Sequence, residues 1–162
     1  MRIILYISII IFTGYIGYGM SKYYLQRSHF FCALKMFVND LKIDINFTER
    51  KLTDILSTLK YSCKEVNLLI TNYTHAININ NVTKENLFIG IEFLSTEEKA
   101  TIHQFFYSLG KLDVYNQIEM LNAFESLVFN YHDVSKVESK KYGALYTKLG
   151  VILGIFILIL LI

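Results

Sequence analysis

The chain has 162 residues, of which 53% are hydrophobic and 19% are charged, and its formal net charge at pH 7 is +2. This length suits one compact domain with short additions, and so small a charge argues against nucleic acid as the main partner. The chain contains no proline, so no residue in it blocks long helices.

The first predicted element is an apolar N-terminal segment. Residues 3–20 read IILYISIIIFTGYIGYGM and carry no charge. As a helix they span roughly 27 Å, close to the thickness of the bilayer core. Two interpretations compete. One is an uncleaved transmembrane helix. The other is a signal peptide with Arg2 as its basic start and Gly17-Tyr18-Gly19 as its cleavage site.

A long first helix is expected to continue this segment to about Asn46, because no helix breaker intervenes. Its apolar residues recur at steps of three or four, which places them on one face. These residues are Phe30, Leu34, Phe37, Leu41 and Ile45.

Four shorter helices are predicted in the middle of the chain. We expect the second helix at about 50–61, the third at about 64–79 and the fourth from 83 to about 93, with the Asn-rich run ININNV as a loop before the fourth. Ser95 followed three residues later by Glu98 predicts a capping box. That box opens a fifth helix, which ends at Leu109.

The last predicted helix starts after Asp113 and enters the apolar C-terminal stretch without interruption. Gly110 fits the left-handed position that ends the fifth helix, and Asp113 fits an N-cap. Residues 149–162 carry no charge and give roughly 21 Å of helix, so Lys148 is expected near the membrane interface. The predicted inward residues are Ile118, Leu121, Phe124, Val128, Tyr131 and Val134.

Small residues occur in both apolar ends. Gly14 and Gly17 lie in the first segment, and Gly150 and Gly154 lie in the last. Glycines allow two membrane helices to approach closely, so these four residues are candidates for a contact between the ends of the chain.

Basic residues flank the middle of the chain on both sides and indicate its topology. By the positive-inside rule both flanks are cytoplasmic, although Arg2 alone argues the other way. We expect transmembrane segments at 1–21 and 148–162 and a cytosolic helical bundle at 22–147. The alternative is an exported binding module with a cleaved signal peptide and a C-terminal anchor. The residues expected to contact anionic head groups are Lys22, Arg27, Lys140, Lys141 and Lys148.

No constellation for catalysis is evident. The phosphate-loop pattern GxxxxGK[ST] does not occur, and none of the four histidines has another histidine or a carboxylate one helical turn away. Cys32 and Cys63 are too few for a disulfide framework and are expected to be free. The sequence therefore predicts neither enzyme activity nor a cofactor, and favours an interaction role over a membrane-tethered enzyme.

Three stretches carry a family resemblance: the start RIILYISIIIFTGYIGYGMSK, the segment SLGKLDVYNQIEML and the tail YGALYTKLGVILGIFILILLI. They resemble stage III sporulation protein AB of endospore-forming bacteria, over essentially the whole chain. The most specific pattern is L-G-x-x-D-x-x-x-Q, formed by Leu109, Gly110, Asp113 and Gln117. The resemblance implies an all-α, six-helix antiparallel bundle, similar to the cytoplasmic domains of F-type platform proteins of type II secretion.

The same resemblance implies a function and partners. The family belongs to the apparatus that links mother cell and forespore, so the expected partners are a sibling ATPase and other membrane proteins of that assembly, with the bundle in the mother-cell cytoplasm. The family often has Thr-Pro-Leu at the start of the second helix, where this chain has Arg50-Lys51-Leu52.

A docking surface is predicted at the membrane-distal end of the bundle. The first helix leaves the membrane and the last returns to it, so the turns at 46–51 and 110–114 are expected to meet there. The candidate docking residues are Arg50, Lys51, Lys111, Asp113 and Gln117. A purely structural alternative exists, in which Gly110 ends one helix, Asp113 caps the next and Gln117 bonds locally.

Overall fold

The computed structural model of the protein describes residues 2–47 and 50–161, with the side chains of 8, 11–47 and 50–160. Within this part most residues are helical and no strand occurs. The helices are α1 (Arg2–Phe47), α2 (Leu52–Thr58), α3 (Lys64–Asn78), α4 (Lys84–Leu87), α5 (Thr96–Ser108) and α6 (Val114–Leu161). The predicted all-α class is confirmed, as are the long first and last helices.

The chain packs as two compact units. The central unit comprises His29–His132, and the terminal unit combines Met1–Ser28 with Asp133–Ile162. Helices α1 and α6 each contribute residues to both units. This division reflects packing density, whereas the predicted boundaries at residues 21 and 148 concern entry into a membrane and stay predictions.

Aromatic and aliphatic side chains form the core of the central unit. Phe30, Leu34, Phe37 and Leu41 of α1 are fully buried, as the periodicity predicted. Ring pairs connect the other helices. Tyr73 of α3 lies 4.7 Å from Phe106 of α5, measured between ring centroids, and Phe105 stacks on Phe124 of α6 at 3.9 Å.

The predicted inward face of α6 is confirmed at Leu121, Phe124 and Val128, which are buried. It is wrong at Val134, which is 44% exposed, while its neighbour Ser135 is buried. A step of seven residues from Val128 leads to position 135, so the buried face follows the spacing of two helical turns.

Local capping residues mark the start of α5, the end of α5 and the start of α6, as the sequence predicted. Ser95 and Glu98 form the capping box at the start of α5. Gly110 has φ +78°, the left-handed conformation expected after a helix end. Asp113 accepts a hydrogen bond from the backbone N–H of Asn116 at 3.1 Å and so caps α6.

Helices α2 and α4 are shorter than predicted, and each difference has a physical cause. The side chain of Asn67 accepts a hydrogen bond from the backbone N–H of Tyr61 at 2.8 Å and donates one to its carbonyl at 2.7 Å. These bonds hold the chain after α2 in a non-helical form. Gly90 has φ +77°, a left-handed conformation that prevents α4 from reaching Phe93.

Candidate functional site

The candidate site in the central unit is the tip, which we define as 45–47, 50–55 and 109–117 with the adjacent end of α3 at 77–82. Two open cavities lie in it, and both are lined by Leu52 and Gly110. A Cβ atom added to Gly110 would lie 3.0 Å from Leu52 Cδ2. The absence of a side chain at Gly110 therefore permits the left-handed turn and also leaves room for Leu52 of α2.

The first cavity has a volume of about 540 Å³ and lies between α2, the end of α3 and the end of α5. Its walls include the apolar side chains of Leu52, Ile77 and Phe106, and its basic groups are Lys51 and Lys111. In the part of the chain that the structure describes, no carboxylate lines it. The cavity therefore combines apolar walls with positive charge.

Two polar residues fix the walls of the first cavity. The hydroxyl of Tyr73 donates a hydrogen bond to the carbonyl oxygen of Leu109 at 3.2 Å. Burial raises the pKa of Tyr73, which keeps the phenol protonated as a donor. Asn80 has φ +53° at the end of α3, a left-handed conformation that Asn tolerates better than most side chains.

The second cavity has a volume of about 630 Å³ and is lined by the end of α1 and the start of α6. Asn46, Arg50 and Gln117 contribute its polar groups, and its apolar lining includes Ile45, Ile55 and Val114. Arg50 Nη2 donates a hydrogen bond to Asp44 Oδ1 at 3.1 Å, so its charge is already paired. The two cavities thus differ in how much free positive charge they offer.

The terminal unit contains a close helix–helix contact between Gly17 and Gly150. A Cβ atom on Gly17 would lie 2.5 Å from the carbonyl oxygen of Tyr146, and one on Gly150 would lie 2.6 Å from that of Thr13. Only glycine fits at either position without movement of the backbone. The predicted small-residue contact is confirmed for this pair, whereas a Cβ on Gly14 would meet only Val151, at 3.9 Å.

Tyrosines and charged groups also pair within the terminal unit. The ring of Tyr24 lies 5.4 Å from that of Tyr142 and 5.7 Å from that of Tyr146, between centroids. Arg27 forms an ion pair with Glu138. Tyrosines beside basic residues are typical of a membrane–water interface.

Among the described residues, one helix is long and apolar enough to cross a membrane, by length and composition. It is Val114–Leu160 in α6, whose most apolar 18-residue window has a mean hydropathy of 2.1 and is 11% buried. Such a window is compatible with membrane association. The predicted N-terminal span falls in part outside the described side chains, which exclude residues 2–7, 9 and 10.

A comparison with protein-family models shows to which family the chain belongs. The sequence model of stage III sporulation protein AB matches residues 2–162. The chain belongs to this family. The membership implies a role related to sporulation. No curated protein and no solved structure matches the chain.

The L-G-x-x-D-x-x-x-Q pattern builds one turn of the tip. Leu109 accepts the hydrogen bond from Tyr73, and Gly110 adopts the left-handed turn. Asp113 lines neither cavity and caps α6, and hydrogen bonds from the backbone and side chain of Asn116 hold the pKa of its carboxyl below the usual value. Gln117 is only 8% exposed and lines the second cavity. The predicted structural roles of Gly110 and Asp113 are therefore present.

The basic residues predicted for docking separate into two groups. Lys51 and Lys111 line the first cavity, and Arg50 lines the second. Lys51 occupies the N-cap position of α2 and makes no capping hydrogen bond with its side chain. Sequence reasoning missed Leu52 and Asn80 as site residues. The Asn-rich loop was a signal for Asn80, but nothing local indicated that it lines the same cavity as Leu52.

The residues predicted to contact lipid head groups belong to the terminal unit. Lys22, Lys140, Lys141 and Lys148 are exposed, and the ammonium of Lys141 lies 5.1 Å from the centroid of the Tyr142 ring. Arg27 is partly buried and forms an ion pair with Glu138 of the same unit.

Proposed function

We propose that the protein is a non-enzymatic membrane scaffold of the sporulation apparatus that links mother cell and forespore. In this role the tip docks a cytosolic ATPase, and the terminal unit holds the complex at the cell membrane. The observation that carries the proposal is the tip itself, where two open cavities of about 540 and 630 Å³ lie side by side. Cavities of this size are typical of binding sites.

The terminal unit supports the membrane part of the proposal. Large apolar side chains on its surface are exposed on both helices, including Ile11, Phe12, Ile152 and Phe156. Exposed apolar residues in such numbers mark surfaces that contact a membrane or a protein partner. We propose that lipid covers it, so that 1–21 and 148–162 are both embedded.

The Gly17–Gly150 contact supports retention of the N-terminal segment. Cleavage after Gly19, as a signal peptide requires, would remove Gly17 and leave Gly150 without its closest neighbour. We therefore propose a two-segment membrane protein with the central unit in the cytoplasm of the mother cell, rather than an exported module.

The continuous helices suggest how a scaffold works. Helix α1 and helix α6 each run through both units without a break in the described residues. A partner docked on the central unit would thus be linked to the membrane-embedded segments through these two helices.

Co-purification from sporulating cells tests the docking. The full-length tagged protein, extracted in a mild detergent, should retain the sibling ATPase. A variant in which Leu52→Asp places a charge on the wall shared by both cavities should lose it. A matched variant, Leu127→Asp, changes an exposed leucine of α6 that lines neither tip cavity and should bind as the wild type. Equal recovery of the ATPase with all three proteins contradicts docking at the tip.

Topology has its own test. A reporter that works only in the cytoplasm should be active when inserted after Asn80, and one that works only after export should be inactive there. The mature protein should also keep its N-terminus. Activity of an export-dependent reporter at the same position, or a mature chain that begins near Met20, contradicts the cytoplasmic placement.

A further inference from the structure

The tip contains two cavities of unequal chemistry, and this difference indicates what kind of partner surface it binds. The inference rests on the proposed docking function and specifies it. Among the described residues, no carboxylate lines the first cavity or pairs with its two lysines, whereas the cation of the second cavity is paired with Asp44.

Lys51 is available for a partner. It is exposed just before α2, and among the described residues no carboxylate forms an ion pair with it. Its ammonium is therefore open to a carboxylate of a partner.

Lys111 is held in place by an aromatic ring. Its ammonium lies 3.4 Å from the centroid of the Tyr107 ring. Tyr107 also lines the first cavity. A cation over a ring keeps the donor directions that point away from the ring, so Lys111 can pair with an incoming anion without first losing much side-chain freedom.

The rest of the first cavity is mainly apolar. Leu52, Ile77 and Phe106 line it together with two further polar residues, Thr53 and Asn80, and the hydroxyl of Tyr73 is hydrogen-bonded to the carbonyl oxygen of Leu109. A free inorganic anion would leave these apolar walls in contact with water. A ligand with an apolar group next to a carboxylate matches both the walls and the rim.

We propose that the first cavity binds an acidic–apolar segment of a protein partner, with an apolar side chain against Leu52, Ile77 and Phe106 and a neighbouring carboxylate on Lys51 and Lys111. The second cavity and Arg50 are not the recognition site, since Asp44 already neutralises that guanidinium. The proposal therefore separates Arg50 from the two lysines with which it shares the tip.

Charge reversal in the full-length protein tests this assignment. Lys51→Glu and Lys111→Glu should each weaken partner retention about tenfold, and both together roughly a hundredfold, as expected when an attractive ion pair becomes repulsive. Arg50→Glu should change retention less than twofold. Lys64→Glu is the matched control, because Lys64 is an exposed lysine at the start of α3, roughly 20 Å along that helix from Ile77.

Zero-length crosslinking reveals the chemistry of the contact even when the partner is unidentified. A carbodiimide added to membranes of sporulating cells joins a lysine Nζ to a carboxylate as an amide, with loss of water. Amides at Lys51 or Lys111 should lead to Asp or Glu of another protein with an apolar residue within two positions. The Lys51→Arg/Lys111→Arg protein should lose these crosslinks but retain the partner, because arginine keeps the charge and does not form the amide.

The outcomes separate the two proposals. Crosslinks from Lys51 or Lys111 to an acidic–apolar segment of a protein other than the ATPase overturn ATPase docking and support the cavity assignment. Retention of the ATPase by the Lys51→Glu/Lys111→Glu protein overturns the assignment and leaves docking at another surface. A phosphate-bearing ligand would form no such amides. If amides at Lys51 and Lys111 are no more frequent than at Lys64, the assignment is therefore also overturned.

Discussion

The central and terminal units of this protein use apolar residues in opposite ways. In the central unit, large side chains such as Phe30, Phe37 and Phe106 are almost fully buried. In the terminal unit, Phe12 and Phe156 are exposed, and the helices meet through glycines instead. Water drives the first kind of packing through the hydrophobic effect. The second kind is expected where lipid surrounds the helices, because association there depends on close backbone approach.

The largest predicted difference is in the loss of stability when a phenylalanine of each unit is replaced by alanine. Phe106→Ala should destabilise the central unit by roughly 3–5 kcal/mol, because it removes a buried ring and leaves a cavity. Phe156→Ala should change stability by less than about 0.5 kcal/mol, as is usual for surface positions, since Phe156 is 59% exposed. Thermal unfolding of the full chain in detergent micelles, followed by circular dichroism, measures both. Equal losses would remove the distinction between the units.

The glycine contact predicts the next effect, and it should be confined to the terminal unit. Gly150→Val should weaken the pairing of the two terminal helices by roughly 1–3 kcal/mol, as overpacking does, because its Cβ meets the Thr13 carbonyl oxygen. Hydrogen exchange should then become faster in residues 11–20 and 146–155 and stay unchanged in the core of the central unit.

Gly19→Val is the control for that experiment. A Cβ atom at Gly19 has nothing within 4 Å, so this variant should exchange as the wild type does. If it has the same effect as Gly150→Val, glycine content and not the contact explains the result.

A smaller effect is predicted for Gly110 in the central unit. Gly110→Ala should cost about 1–2 kcal/mol, because alanine disfavours the left-handed conformation and its Cβ approaches Leu52 Cδ2 at 3.0 Å. The midpoint of thermal unfolding should fall accordingly. Gly19→Ala tests the opposite case, since it lies inside α1 and should be neutral or slightly stabilising.

The smallest effect is a pH dependence at Asp113. Hydrogen bonds from Asn116 lower the pKa of this carboxyl in the folded state. Its contribution to stability is therefore complete above the unfolded pKa, which is near about 3.9, and is lost as the pH falls through the lower folded value. The difference in unfolding midpoint between the wild type and Asp113→Ala should be constant above about pH 5 and shrink in stronger acid.

Local signals explain what the sequence could predict. The α1 periodicity, the Ser95–Glu98 box and the Gly110–Asp113 turn depend on residues a few positions apart, and all three are confirmed. The lengths of α2 and α4 depend on contacts between helices. Asn67 of α3 ties down Tyr61, and Gly90 lies against Leu68 of α3, where an added Cβ would be 2.9 Å from Cδ2.

The tip was predictable in part for the same reason. Its basic residues were visible as charges near two turns, so Arg50, Lys51 and Lys111 could be chosen. Their division between two cavities depends on Asp44, which pairs with Arg50, and on the approach of the α3 end. Neither contact has a local sequence signal.

The pairing of two glycines has a consequence for genetics. When a bulky residue damages an interface, a second-site change to a smaller residue often restores it, but Gly17 and Gly150 already have no side chain to remove. If a larger residue replaces one of these glycines, no substitution at the other glycine can therefore make room for it. Revertants of such strains should restore the original codon or arise at distant loci.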